Sequence, residues 1–540
     1  MTRLFLSAAH KSSGKTTVTV GIAAALRARG LVVQPFKKGP DYIDPMWLAT
    51  AAGRSCRNLD FHTMTGGEIQ AEFARHGAGA DLSIIEGNKG LHDGVAVDGA
   101  DSNAALAKLL DAPVVLVVDT RGITRGIAPL LRGYRDFDRG VRIVGVILNQ
   151  VAGARHEGKL VQAVRTYTDV PVLGAVGRSP DLALDAEYIG LVPPAEIAKA
   201  EARVARIARR IEECVDLDRV QALASRVEPP AVAASLPETR NGGRAIDASR
   251  VEPPAVAASP PGTRNGGRTI DASRAEPLAV AASPPETRSS GRTIDASRAE
   301  PFAVAAPVPV QRGAVSPSPD VRIAVARDAA FCFYYPGDLE ALEAAGARLV
   351  PFDTLRNPVP PEADGIFIGG GFPERAMDAL EANASMRAAL GERIAAGLPV
   401  YAECGGLMYL ARRIRWNERA CEMVGAIPAD VVMHPRPRGR GYVVLEPTGD
   451  APWAPATNGA VHAHEFHHST LENMTGTDWR FAWRVRRGRG IDGEHDGIVI
   501  GSLLASYSHL RDVEGCRWAD RFVSYVRGRR KSLAPTFPRS

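Results

Sequence analysis

The chain has 540 residues, 45% of them hydrophobic and 24% charged, with a formal net charge of +5. That length exceeds a single core and implies two or three domains of a soluble globular protein. The mild positive balance admits anionic ligands without marking a nucleic-acid binder, and no apolar run reaches the ~20 residues that span a bilayer.

Six cysteines (56, 214, 332, 404, 421 and 516) are scattered without CxxC pairs. This argues against a disulfide framework and a cysteine-based zinc site, and suits a reducing cytosol. The first residues lack a signal-peptide layout. A cytoplasmic protein with neither membrane nor nucleic acid as partner is expected.

The first element is a short apolar run, Leu4–Leu6, followed by Ser7-Ala-Ala-His-Lys-Ser-Ser-Gly-Lys-Thr-Thr17 and an Ala-rich segment. A strand, a small-residue loop and a helix starting at Lys15 make a phosphate cradle. Loop amides and the helix N-terminus face the anion, Lys15 adds positive charge, and the Thr16 hydroxyl can hold Mg²⁺. The Walker pattern has Gly at the place of Ala9.

Further apolar runs at Leu31–Pro35, Leu82–Ile85, Pro113–Val118, Arg142–Leu148 and Val170–Ala175 alternate with helical segments such as Asn103–Leu110 and Glu157–Tyr167. Strands this apolar imply a parallel sheet covered on both faces, with ligands beyond the strands' carboxyl ends. Those ends carry Lys37, Lys38, Asp41 and Asp44, then Glu86, Lys89 and Asp93, then Asp119, Arg121 and Arg125. Acidic groups beside a phosphate loop hold Mg²⁺ through oxygen, and the cations neutralise phosphates or carboxylates.

Residues 1–224 thus form one α/β domain. Residues 225–317 differ in kind. Ser225-Arg-Val-Glu-Pro-Pro returns at Ser249 and, with Ala for Val, at Ser273 and Ser297, a period of 24 residues. The repeat lacks the apolar stripe a solenoid stacks on, which predicts a disordered linker.

A second α/β pattern fills 318–540, with strands expected at Val321–Ala326, Ala347–Pro351, Gly365–Ile368 and Leu398–Ala402, and helices at Asp338–Ala345 and Met377–Ala395. The fourth strand runs into Glu403-Cys404-Gly405-Gly406, a nucleophile elbow at a strand-to-helix turn. Backbone amides at Gly370, Gly371 and Gly405 offer an oxyanion hole. His509, past an expected core strand at Ile498–Ala505, is the general base. His462, His464, His467 and His468 look like a metal cluster but lack a helical HExxH or cysteine partners.

These motifs (SSGKTT, KKGPDYIDP, IEGNKGLHDG, FYYPGDLE, GGGFPE, AECGGLMYL, HEFHHS and SYSHL) resemble the cobyrinic acid a,c-diamide synthase family of cobalamin biosynthesis, the hydrogenobyrinic acid enzymes included. The resemblance covers about residues 1–205 and 318–525. It implies a dethiobiotin-synthetase-like P-loop amide ligase domain that binds ATP and the corrin, followed by a class I glutamine amidotransferase domain. The reaction implied amidates the a and c acetates of a corrin polycarboxylate with ATP and L-glutamine, and a homodimer is admitted.

By the resemblance Cys404 is the glutaminase nucleophile and His509 activates it. Ser13, Gly14, Lys15, Thr16 and Thr17 bind ATP. Thr16, Asp41 and Glu86 hold Mg²⁺, and Asp44, Lys89 and Asp93 face the substrate. Ordinary class I glutaminases carry Glu two residues after the His. Arg511 stands there, which leaves open what orients His509. His92 replaces the family's common Tyr. Two rivals stay open: a cobyric acid synthase amidating other side chains, and a ParA-like ATPase switch with a vestigial glutaminase domain.

Overall fold

The computed structural model describes residues 2–182, 184, 194–226, 319–453, 459–476 and 478–533. Apart from Ser225 and Arg226, the repeats expected at 225–317 lie outside the described residues. The described residues of both halves belong to one compact unit.

In the first half, β1 (Thr2–Ala8) is followed by α1 (Lys15–Ala28), β2 (Val33–Lys38), α2 (Ile43–Ala52), β3 (Arg57–Leu59), β4 (Leu82–Glu86), β5 (Val114–Asp119), β6 (Ile143–Val151) and β7 (Val172–Gly177). The strand order is β3-β2-β4-β1-β5-β6-β7, all parallel. A short β8 (Ser225–Arg226) pairs antiparallel with Thr2 and Arg3. Alternate side chains explain the unbroken apolar runs: Phe5 packs into one buried cluster, and Leu4 and Leu6 into another on the opposite face. Since β1 is central, the loop that follows Ala8 opens at the middle of the sheet's carboxyl edge.

The expected strands are present with shifted ends. β2 starts two residues later than expected and runs through Lys37 and Lys38, both buried. Lysines at a strand end read as loop, but here Lys37 meets the Glu86 carboxylate at 2.7 Å and Lys38 the Asn88 side-chain oxygen at 3.5 Å.

In the second half a nine-stranded sheet runs Ala347–Phe352, Val321–Ala326, Gly365–Ile368, Val400–Glu403, Leu503–Ser506, His495–Ile500, Arg480–Arg487, Gly439–Pro447 and Val461–His467. The first five are parallel, and the last four continue antiparallel. Two expectations are corrected. Ile498–Ala505 is not one strand but parts of two antiparallel strands, turned at Gly501 with φ 58. Met377–Ala395 is two helices, Met377–Ala382 and Ala384–Ala395. They break at Asn383, whose amide donates to the carbonyls of Thr354 and Asn357 (both 2.8 Å) and whose ψ of 62 leaves the helical region. Among the described residues no helix is long and apolar enough to cross a membrane.

Candidate active site

The cradle begins where expected: α1 opens at Lys15, and Gly14 precedes it at φ 77. A Cβ at Gly14 would meet the Asn149 amide at 2.1 Å, and that amide donates to the Ser13 carbonyl at 2.8 Å. The other left-handed residue is Ser12 (φ 66); Ala9 has no positive φ, so the missing first glycine costs the loop no strain. Ser13 Oγ donates to the His10 carbonyl (2.7 Å) and Thr17 Oγ1 to that of Leu182 (3.1 Å).

Glu86, at the end of β4 and fully buried, gathers the cations. Its Oε1 receives Lys15 Nζ at 2.6 Å, Lys37 Nζ at 2.7 Å and Thr16 Oγ1 at 2.9 Å. Lys37 also pairs with Asp44 and lies 3.6 Å from Asp41. Asp44, expected at the substrate, accepts from Thr16 at 3.3 Å at the start of α2.

The charges answer to one another. Burial opposes it, yet Asp44, Glu86 and Asp41 hold the Lys37 ammonium well above its usual range. Burial also opposes the change at Asp44, but Lys37 and Lys15 keep its carboxyl below the usual range. Asp41 is pushed up to about 6 by burial, with Lys37 resisting. Burial lowers Lys15.

Lys89 is exposed, at φ 36, and Asp93 Oδ2 accepts from Gly90 N at 2.9 Å. A Cβ on Gly90 would stand 2.8 Å from the Ala9 carbonyl, so this turn packs on the phosphate loop and not in the Glu86 cluster. Arg121 is committed to Asp119 (2.6 Å), and Arg125 lies over the Tyr167 ring.

The oxygens of Thr16, Asp44 and Glu86 converge, and Glu86 Oε2 is buried without a hydrogen-bond partner. Hard oxygen donors with a spare buried lone pair fit Mg²⁺. Among the described residues no group of three or more His, Cys, Asp or Glu is placed to hold a metal.

In the second half Cys404 sits at φ 47, ψ −100 between strand Val400–Glu403 and helix Gly405–Leu410. Such a left-handed non-glycine residue stores strain that aims its side chain. The Sγ donates to the Phe466 carbonyl at 3.6 Å. A Cβ on Gly405 would come to 3.0 Å from Gly371 N, and one on Gly370 to 2.6 Å from His509 Cε1. The structure therefore brings Gly370, Gly371, Gly405, Cys404 and His509 together.

What faces His509 is Glu403, the residue before the nucleophile. Its Oε2 lies 3.4 Å from His509 Nδ1, while Oε1 accepts from Tyr401 Oη (2.5 Å) and Leu510 N (2.9 Å). Burial works against it, but Cys404 and then Glu403 raise His509 to about 10. The stability this charge contributes is complete below the usual ~6.5 and is lost as pH rises through about 10. Glu403→Gln is expected to slow glutamine hydrolysis by ~10²-fold or more and to move the His509 midpoint down in imidazole NMR titration; an unmoved midpoint would remove Glu403 from this role.

Sequence reasoning passed over Glu403 because it sought the acid after the His. It also missed two buried carboxylates. Asp496 accepts from Tyr507 N (3.0 Å) and Ser508 N (2.9 Å), and Asp338 from Asp512 N (2.8 Å); together they fix the segment that carries His509. The histidines of 462–468 are engaged elsewhere. His462 meets the His62 carbonyl (2.9 Å), His464 stacks on His509 (4.8 Å), and His467 stacks on Tyr507 (3.8 Å).

A phosphate cradle ringed by strand-end carboxylates, joined to a Cys–His elbow with an amide-lined hole, defines a glutamine-dependent amide ligase. Residues 2–185 match the model of an AAA domain, and residues 322–512 that of a CobB/CobQ-like glutamine amidotransferase domain. The chain is 42% identical to the cobyrinate a,c-diamide synthase of Magnetococcus marinus, over 98% of this chain and 97% of that one. It is 36% identical to that of Methanosarcina acetivorans (99% and 97% covered) and 34% identical to that of Listeria monocytogenes (94% and 96%). The chain belongs to the cobyrinate a,c-diamide synthase family.

Proposed function

We propose that this chain amidates the a and c acetate carboxylates of cobyrinic or hydrogenobyrinic acid in the cytosol, with ATP as activator and glutamine as nitrogen source. The observation that carries this is the presence, in one compact unit, of the Lys15–Glu86–Thr16 cradle and the Cys404–His509–Glu403 elbow.

A carboxylate is a poor electrophile. Its oxygen attacks the γ-phosphorus of ATP, ADP leaves, and an acyl phosphate results. Lys15 faces the charge that develops on the transferring group. Mg²⁺, held by Thr16, Glu86 and Asp44, would supply further neutralisation there. Lys37 keeps the two carboxylates from repelling one another, and Lys89 and Asp93 stand on the neighbouring turn to meet the corrin.

Ammonia comes from the second half, since free ammonia is mostly ammonium at neutral pH. Cys404 Sγ attacks the glutamine side-chain carbonyl, and the oxyanion is met by the amides of Gly371 and Gly405. His509 gives a proton to the departing nitrogen, and water then cleaves the thioester to glutamate. Ammonia displaces phosphate from the acyl phosphate to give the amide.

Mass spectrometry of products from cobyrinic and from hydrogenobyrinic acid tests the assignment. A product with two new amides is expected. A single amide, or more than two, would overturn the a,c assignment.

A further inference from the structure

We propose that Tyr42 is the positioning residue through which the state of the ligase site governs glutamine hydrolysis at His509. The inference rests on the two-site reading above and goes beyond it by naming the contact that joins the sites.

Tyr42 belongs to the first half by its backbone and to the second by its side chain. Its backbone caps α2 between Asp41 and Asp44. Asp41 Oδ1 accepts from Ile43 N at 2.9 Å and from Asp44 N at 3.1 Å, so that carboxylate grips the turn on which Tyr42 stands. Both flanking carboxylates face Lys37, and Asp44 also holds Thr16 of the cradle. Nucleotide or carboxylate arriving at these groups redistributes the charges that pin the turn.

The side chain leaves the ligase site and enters the glutaminase. Its hydroxyl lies 3.3 Å from His509 Nδ1, the same nitrogen that Glu403 Oε2 faces at 3.4 Å. His509 has one Nδ1–H to share between them. Glu403 is fixed by two further donors, Tyr401 and Leu510 N. Tyr42 is the partner whose position depends on the other active site. Burial, with Tyr335 and Glu403 adding to it, holds the phenol well above its usual range, so the hydroxyl keeps its proton.

A second contact points the same way. The Tyr42 ring stacks on Phe333 at 5.1 Å with an interplanar angle of 5°. Phe333 pairs in register with Gly370, whose Cα lies against the His509 ring. A shift of Tyr42 therefore reaches the base directly and the Gly370–Gly371 wall through Phe333. Packing alone accounts for the ring; it does not account for a hydroxyl aimed at the nitrogen that orients the catalytic imidazole.

The test uses the full chain with glutamine, ATP and cobyrinic acid. Glutamate release is measured with and without ATP plus cobyrinic acid, and amide formation is measured separately with ammonium chloride as nitrogen source. In the unmodified chain, ATP plus cobyrinic acid is expected to stimulate glutamate release ~10-fold or more, within the range of ordinary coupling energies. In Tyr42→Phe, which keeps the ring and removes the hydroxyl, stimulation is expected to fall to within about twofold, with ammonia-driven synthesis also within about twofold of the unmodified chain.

The proposal is overturned if Tyr42→Phe is stimulated like the unmodified chain, if Tyr42→Phe also loses ammonia-driven synthesis, or if an unmodified chain that makes amides shows no stimulation at all. An unmodified chain that forms no amide from either nitrogen source would instead overturn the functional reading.

Discussion

Cys404→Ala is expected to lower glutamine-dependent amidation by on the order of 10⁴-fold or more and to leave ammonia-dependent amidation intact. The reasoning is geometric. The Cys404 Sγ belongs to an elbow between strand and helix, contacts the Phe466 carbonyl and takes no part in the Lys15–Glu86–Thr16 hydrogen bonds. Ammonium chloride at alkaline pH supplies the free base that the glutaminase would otherwise release, so the ligase half can run alone. Amide products counted by chromatography with either nitrogen source decide the point. Loss of both activities would show that the division of labour between the halves is wrong.

Glu86→Gln is expected to abolish amidation with either nitrogen source and to destabilise the first half by about 3–5 kcal/mol, the usual effect of breaking a buried charge pair. One fully buried oxygen, Glu86 Oε1, receives two ammonium groups and a hydroxyl. Without its charge, Lys15 and Lys37 are left buried together, with Asp44 and Asp41 to balance them. Thermal melting and glutaminase assays separate the two effects. Glutamine hydrolysis at temperatures where the variant is folded is expected to survive, since Cys404, His509 and Glu403 are untouched. Amidation at the level of the unmodified chain would remove Glu86 from the centre of the ligase site.

Much of this was legible in the sequence where one residue type has one physical use. A Gly-Lys-Thr after an apolar strand begins a helix at the lysine, and a cysteine before Gly-Gly makes a turn. The apolar runs gave a parallel sheet because both faces are covered. Legibility failed where charge is buried. Lys37 and Lys38 read as a loop because lysine is rarely interior; Glu86, Asp44 and Asp41 offset the burial of Lys37, and the Asn88 side-chain oxygen meets Lys38. Glu403 was hidden for another reason: an acid inside a strand reads as sequence noise until the fold sets His509 beside it. The antiparallel extension from Gly439 to Ile500 escaped notice because its strands, such as Arg480–Arg487, are half solvated and rich in arginine.

Position 511 carries a consequence for how the chain is organised as a gene product. With Glu403 facing His509, the place two residues after the histidine carries no acid. Arg511 fills it, donates to the Asn58 carbonyl of the other half, and lies with its guanidinium 5.0 Å from the Tyr335 ring centre. Two residues from the glutaminase base, Arg511 thus ties one half of the chain to the other. Expressing the halves apart would strip Arg511 of the Asn58 carbonyl and leave the segment that carries His509 without that tie.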